Sequence, residues 1–105
     1  MDEKLPTFFL ILTEDEKKRF LSCSGRVISI DLHGLTPREA RQLLRNLIVF
    51  FTGESFVIKA IHGYIHGIAI KESLLYDAPI HKRVTGCYQD LGNNGVTYIT
   101  IHDSA

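Results

Sequence analysis

The sequence has no excess of charge of either sign: 12 lysines and arginines stand against 12 acids in 105 residues. That excludes a general electrostatic pull on polyanions, so any nucleic-acid contact must come from a local patch. Cysteine is scarce as well. Cys23 and Cys87 are too few for a disulfide framework and lack metal-type spacing, and they read as reduced thiols of a cytosolic protein. Internal repeats and low-complexity tracts are missing. Long apolar runs are missing too. Phe8-Phe9-Leu10-Ile11-Leu12 falls far short of the roughly 20 residues that span a bilayer, and it lacks the basic flank and small-residue cleavage site of a signal peptide. The expected location is the cytoplasm, with no membrane partner.

What is present is ordinary globular composition, 45% hydrophobic and 23% charged, with enough chain for one domain and its core. Residues 1–26 read as an N-terminal extension. Residues 7–12 fit a buried strand or a short helix. Thr13-Glu14-Asp15-Glu16 forms a capping box and predicts a helix over residues 14–23, with Phe20 and Leu21 facing inward and Gly25 ending it. From residue 27 the pattern is cleaner. Ile28, Ile30 and Leu32 alternate on one face of a strand. Thr36-Pro37-Arg38-Glu39 opens a helix with an N-cap, a proline at the first position and a closing Glu; Ala40, Leu43, Leu44, Leu47 and Phe51 carry it to about residue 52. Residues 56–61 form a strand with apolar residues on both faces, residues 67–76 a helix, and residues 83–89 and 96–101 two strands joined by the turn-rich Gly92-Asn93-Asn94-Gly95. The expected fold is an α/β two-layer sandwich. Its order over residues 27–105 is β-α-β-α-β-β, with a mixed four-stranded sheet, a parallel start and an antiparallel last pair.

In open α/β sheets ligands collect beyond the carboxyl ends of the parallel strands, and both such ends here carry histidine and glycine together. The first strand runs into Asp31-Leu32-His33-Gly34, the second into His62-Gly63-Tyr64-Ile65-His66-Gly67. If the strands are neighbours, Asp31, His33, His62 and His66 converge on one edge, with Asp31 and His33 pointing to one side. Glycine-bounded loops at helix starts offer N–H groups to an anion, and phosphate is the natural guest. Arg38, Arg41 and Arg45, at i, i+3 and i+7, form one stripe off the apolar face that can add about three phosphate contacts. His62 and His66 have the i, i+4 spacing of a zinc pair, but the glycines between and after them argue against helix there, so no protein metal site is assigned.

Ile30-Asp31-Leu32-His33-Gly34, followed by the Thr-Pro-x-Glu-Ala helix opening, resembles the LDLHG motif of the Smr (small MutS-related) domain. Ile61-His62-Gly63 resembles that family's His-Gly-x-Gly loop, and Gly92-Asn93-Asn94-Gly95-Val96-Thr97 its closing glycine-rich hairpin. The similarity covers residues 27–101. It implies a sandwich like the C-terminal domain of bacterial translation initiation factor three, and DNA or RNA binding, often with nicking endonuclease activity. One departure is local: Ile65 stands where the second loop glycine belongs, and a β-branched residue resists the positive φ such loops often need.

The leading expectation is a nucleic-acid-binding Smr-type domain, with phosphodiester hydrolysis left open as its activity. In it His33 or His62 is general base, Asp31 orients a histidine or binds a metal, and Gly34, Arg38, Arg41, Arg45, Gly63, Tyr64, His66 and Gly67 contact the nucleic acid. The alternatives are a non-catalytic interaction or scaffold domain with the same fold, and a His/Asp metal-dependent hydrolase of another substrate. Cofactor identity, including a divalent metal, the choice of DNA or RNA, and oligomeric state stay open.

Overall fold

The computed structural model describes residues 2–103. After a single 3-10 turn at Asp2–Lys4 come helices α1 (Leu5–Leu10) and α2 (Glu14–Arg19), strands β1 (Phe20–Ser24) and β2 (Val27–Asp31), helix α3 (Pro37–Phe50), strand β3 (Phe56–Ile61), helix α4 (Ile68–Tyr76), and strands β4 (Val84–Gln89) and β5 (Val96–Ile101). The sheet order is β1-β2-β3-β5-β4. Only β2 and β3 pair in parallel; β1 with β2, β3 with β5, and β5 with β4 are antiparallel. The β-α-β start and the antiparallel last pair are as expected, and β3 is central.

The sheet has five strands, not four. The segment 20–24, expected to continue the α2 helix, turns extended at Phe20 (ψ 103°) and pairs with β2. No breaker separates the charged helix from Phe20-Leu21-Ser22-Cys23, so local pattern favours helix, but the open edge of β2 offers backbone partners that override it. Leu21 consequently points outward, 55% exposed. Residues 2–26 thus add an edge strand to the sheet and a side chain to the core. Segment 7–12 resolves mostly to helix, and its Phe8 is fully buried, with ring centroids 4.8 Å from Phe50, 5.4 Å from Phe20 and 5.7 Å from Phe51.

Both capping boxes form as their spacing predicts. Thr36 Oγ1 accepts from the Glu39 N–H at 3.1 Å, and Glu39 Oε1 accepts from the Thr36 N–H at 2.9 Å. Helix α3 then buries Ala40, Leu43, Leu44, Leu47 and Ile48 over Ile28, Ile30, Ile58 and Ile99 of the sheet; each large side chain so buried contributes about 1.5–3 kcal/mol. The opposite face of the sheet carries Ser29, Lys59, Tyr98 and Thr100, all half-buried.

Arg83 is 5% exposed at the entry to β4. Its guanidinium donates to the carbonyls of His102 (2.7 Å), Ile48 (2.9 Å), Phe51 (3.2 Å) and Glu54 (2.6 Å). A cation thus satisfies the orphan carbonyls where α3 ends, at the negative pole of that helix. No local sequence signal marks this role.

Candidate nucleic-acid interface

Beyond the carboxyl ends of β2 and β3, three loops meet. The first leaves β2 at Asp31. Leu32 is buried, and a turn closed by Leu35 N–H to Leu32 O at 3.2 Å places Gly34 at φ +84°, the left-handed value that suits glycine. Asp31 Oδ1 accepts from the His33 N–H at 2.9 Å. The expectation that Asp31 and His33 project side by side from a strand does not hold, because the strand ends at Asp31 and His33 belongs to the turn. The carboxylate therefore braces the His33 backbone. Arg19, the last residue of α2, completes the brace. Its Nη1 donates to Asp31 O (3.2 Å) and His33 O (2.7 Å), and its Nε pairs with Asp15 at 2.9 Å. The His33 side chain itself is exposed.

The second loop buries its first histidine. His62 is 1% exposed, because it follows Ile61 and continues the helix-side face of β3 that Ala60 and its β5 partner Thr97 share. Its Nδ1 lies 2.9 Å from Gly63 O and its Nε2 2.8 Å from Thr97 Oγ1. A carbonyl only accepts, so Nδ1 carries the proton and Nε2 accepts from the Thr97 hydroxyl. Burial lowers the imidazole pKa, opposed by the bond to Gly63 O and reinforced by Lys71. His62 is a neutral strut under the loop. Thr97, on β5, is the partner that sequence reasoning missed.

The third loop locks the second. The Gly95 carbonyl accepts from His62 N–H (2.9 Å) and Gly63 N–H (3.1 Å), and a Cβ added at Gly95 would lie 3.2 Å from Gly63 Cα. A Cβ at Gly67 would collide with the carbonyl oxygens of His62 and Gly63, so the loop folds tightly on itself. Gly63 has φ +88°, and no residue other than glycine has a positive φ among those described. Ile65 thus occupies an ordinary conformation, with the left-handed demand met by Gly63. Tyr64 (63% exposed), Ile65 (72%) and His66 form an outward tip.

These placements bring His33, Gly34, Gly63 and the 64–66 tip together. A Cβ at Gly63 would sit 3.8 Å from Cδ2 of His33, so the exposed imidazole of the first loop rests beside the glycine of the second. Helix α4 starts there at Gly67 with no side-chain cap, whereas α3 is fully capped by Thr36 and Glu39. The helix start at this edge that lacks a side-chain cap is therefore that of α4, and a helix N-terminus favours an anion. Arg38, Arg41 and Arg45 are not joined to these loops: Arg41 and Arg45 bond to the far half of α4 and the chain after it. Among the described residues, no group of three or more His, Cys, Asp or Glu is placed to hold a metal ion, and no helix is long and apolar enough to cross a membrane.

Comparison with protein-family models, with curated proteins and with solved structures gives no match.

Proposed function

We propose that this chain is a nucleic-acid-binding domain of Smr type, gripping a phosphate between the His33–Gly34 turn and the uncapped start of α4, with phosphodiester hydrolysis as its chemistry. The observation that carries the reading is the exposed His33 imidazole lying against Gly63, next to a helix N-terminus that no side chain fills. His33 is then the general base, since imidazole suits proton transfer near neutral pH. Asp31 and Arg19 are positioning residues that fix the His33 backbone from below, and His62 holds the second loop closed. Tyr64 and His66 supply the exposed contact tip.

A second reading, binding without catalysis, is favoured by how few side chains at this edge are free. His62 is spent on Thr97 and Gly63, and one Asp31 oxygen on the His33 N–H.

The test is cleavage of supercoiled plasmid and of a labelled RNA hairpin by wild type, His33→Ala and Asp31→Ala, with and without divalent metal. The catalytic reading expects His33→Ala to slow cleavage about 10²–10⁴-fold. Cleavage unchanged in His33→Ala removes His33 as base. Oligonucleotide binding with no cleavage under any condition establishes the second reading.

A further inference from the structure

The arginine stripe of α3 has a groove of its own. A cavity of about 460 Å³ opens along α3 and the far half of α4, lined by Arg38, Arg41, Arg45, Ser73, Asp77 and Ile80 among others. Two of its guanidiniums are held in place. Arg41 Nη1 donates to Ser73 O at 3.2 Å and its Nη2 to Ala78 O at 2.6 Å; Arg45 Nη1 donates to Ile80 O at 2.9 Å. Carbonyls orient a guanidinium without neutralising it. Each arginine has five N–H donors, and the Nε of both is free of hydrogen bonds among the described residues. None of the three arginines forms an ion pair among the described residues, so against the one carboxylate of its lining, Asp77, the groove keeps a net positive charge in a chain that is neutral overall. His81, next along the connection to β4, has its pKa lowered by burial first and then by Arg45 of the groove and by Arg83 and Lys82 outside it.

We propose that this groove is a phosphate-binding track for a nucleic-acid strand that also contacts the His33 turn. Arg38 lies in the first turn of α3, close after that turn in the chain, and Arg45 is seven residues on, about 10 Å along the axis. Arg41 and Arg45 are ordered before any ligand arrives, which reduces the entropy lost on binding, and the planar fork of arginine suits phosphate oxygens. That the strand is nucleic acid rests on the function proposed above; the affinity of the groove for phosphate does not.

The experiment uses the full chain, in wild-type form and as the Arg38→Ala/Arg45→Ala double variant. Arg41 is left intact because it ties α3 to the end of α4. Inorganic tripolyphosphate is titrated while arginine Nε–Hε and backbone amide resonances are followed by NMR. Saturable shifts are expected at Arg38, Arg41, Arg45 and Ser73, and are expected to be lost in the double variant. In parallel, binding of a single-stranded mixed-sequence oligonucleotide is measured against salt. Losing two contacts should flatten the slope of log K against log salt by about 1.4. If the double variant does not fold, Arg38→Ala alone, at an exposed position without a described hydrogen bond, should flatten it by about 0.7. Tripolyphosphate shifts that are absent, or confined to residues 31–34 and 62–67, overturn the groove. So does a salt slope equal in wild type and variant, even where the oligonucleotide binds. Groove shifts without any oligonucleotide binding overturn the function proposed above and leave the phosphate site standing.

Discussion

The two strand-to-helix loops start from the same ingredients, a histidine followed by a glycine, and use them in opposite ways. After β2 the chain turns once and exposes His33; after β3 it folds back and buries His62. The first loop is held from outside, by the Asp31 carboxylate and the Arg19 guanidinium, and ends in a complete capping box. The second is held from inside, by Thr97 and the Gly95 carbonyl, and leaves its helix uncapped. Residue type alone does not set a histidine's role. His62 continues directly from its strand at a position facing the helices, whereas Leu32 takes the buried place after β2 and pushes His33 into the turn.

The contrast predicts unequal costs. His62→Ala should lose about 2–4 kcal/mol, because it opens a cavity and strands the buried Thr97 hydroxyl. His33→Ala should change stability by less than about 0.5 kcal/mol. Urea denaturation of both variants checks this, and equal losses would break the comparison. The glycines sharpen it. Gly67→Ala drives a methyl into backbone carbonyls and should cost more than about 2 kcal/mol. Gly34→Ala meets no atom within 4 Å, so it should cost only the left-handed strain of about 1–2 kcal/mol; thermal melts of the pair give the order. Thr36→Ala removes the cap of the first loop alone and should cost about 1 kcal/mol, read as a lower Tm with an unchanged fold by NMR.

The smallest expected effect is in pH. Burial holds the folded His62 below its free value of about 6.5. Below that value the unfolded chain binds the proton that the folded chain resists. Stability from this group is thus complete above about pH 6.5 and declines as pH falls through the folded pKa. His81 adds a slope of the same sign. Urea midpoints at pH 7.5 and 5.5 should differ less in His62→Gln than in wild type; an equal difference would show that the ring is not the source.

Much of the fold was legible in the residues because its signals are local. The Thr13/Glu16 and Thr36/Glu39 boxes, the apolar period from Ala40 to Ile48, and the strand alternations lie within a few residues of one another, and each formed. β1 was not legible, because its conformation is decided by the exposed edge of β2 rather than by its own side chains. In the site, the meeting of the two glycine loops followed from strand adjacency. The roles of Arg19, Thr97 and Gly95 did not, since each acts on a backbone or ring far away in sequence. The arginine stripe was visible as spacing on α3, but only the packed α4 segment shows that two of its members are held by carbonyls.

Arg83 also constrains the order of assembly. Its guanidinium joins Ile48, Phe51 and Glu54, about thirty residues upstream, to His102 beyond the last strand. The final turn of α3 therefore cannot gain its full set of partners until the closing hairpin has docked, although most of that helix is specified locally. Contacts of such sequence separation form against the entropy of closing long loops. The two ends of α3 should thus mature at different times: the Thr36 end with its own cap, and the Phe50 end only as the whole chain condenses, so that its amides exchange with solvent chiefly through global unfolding.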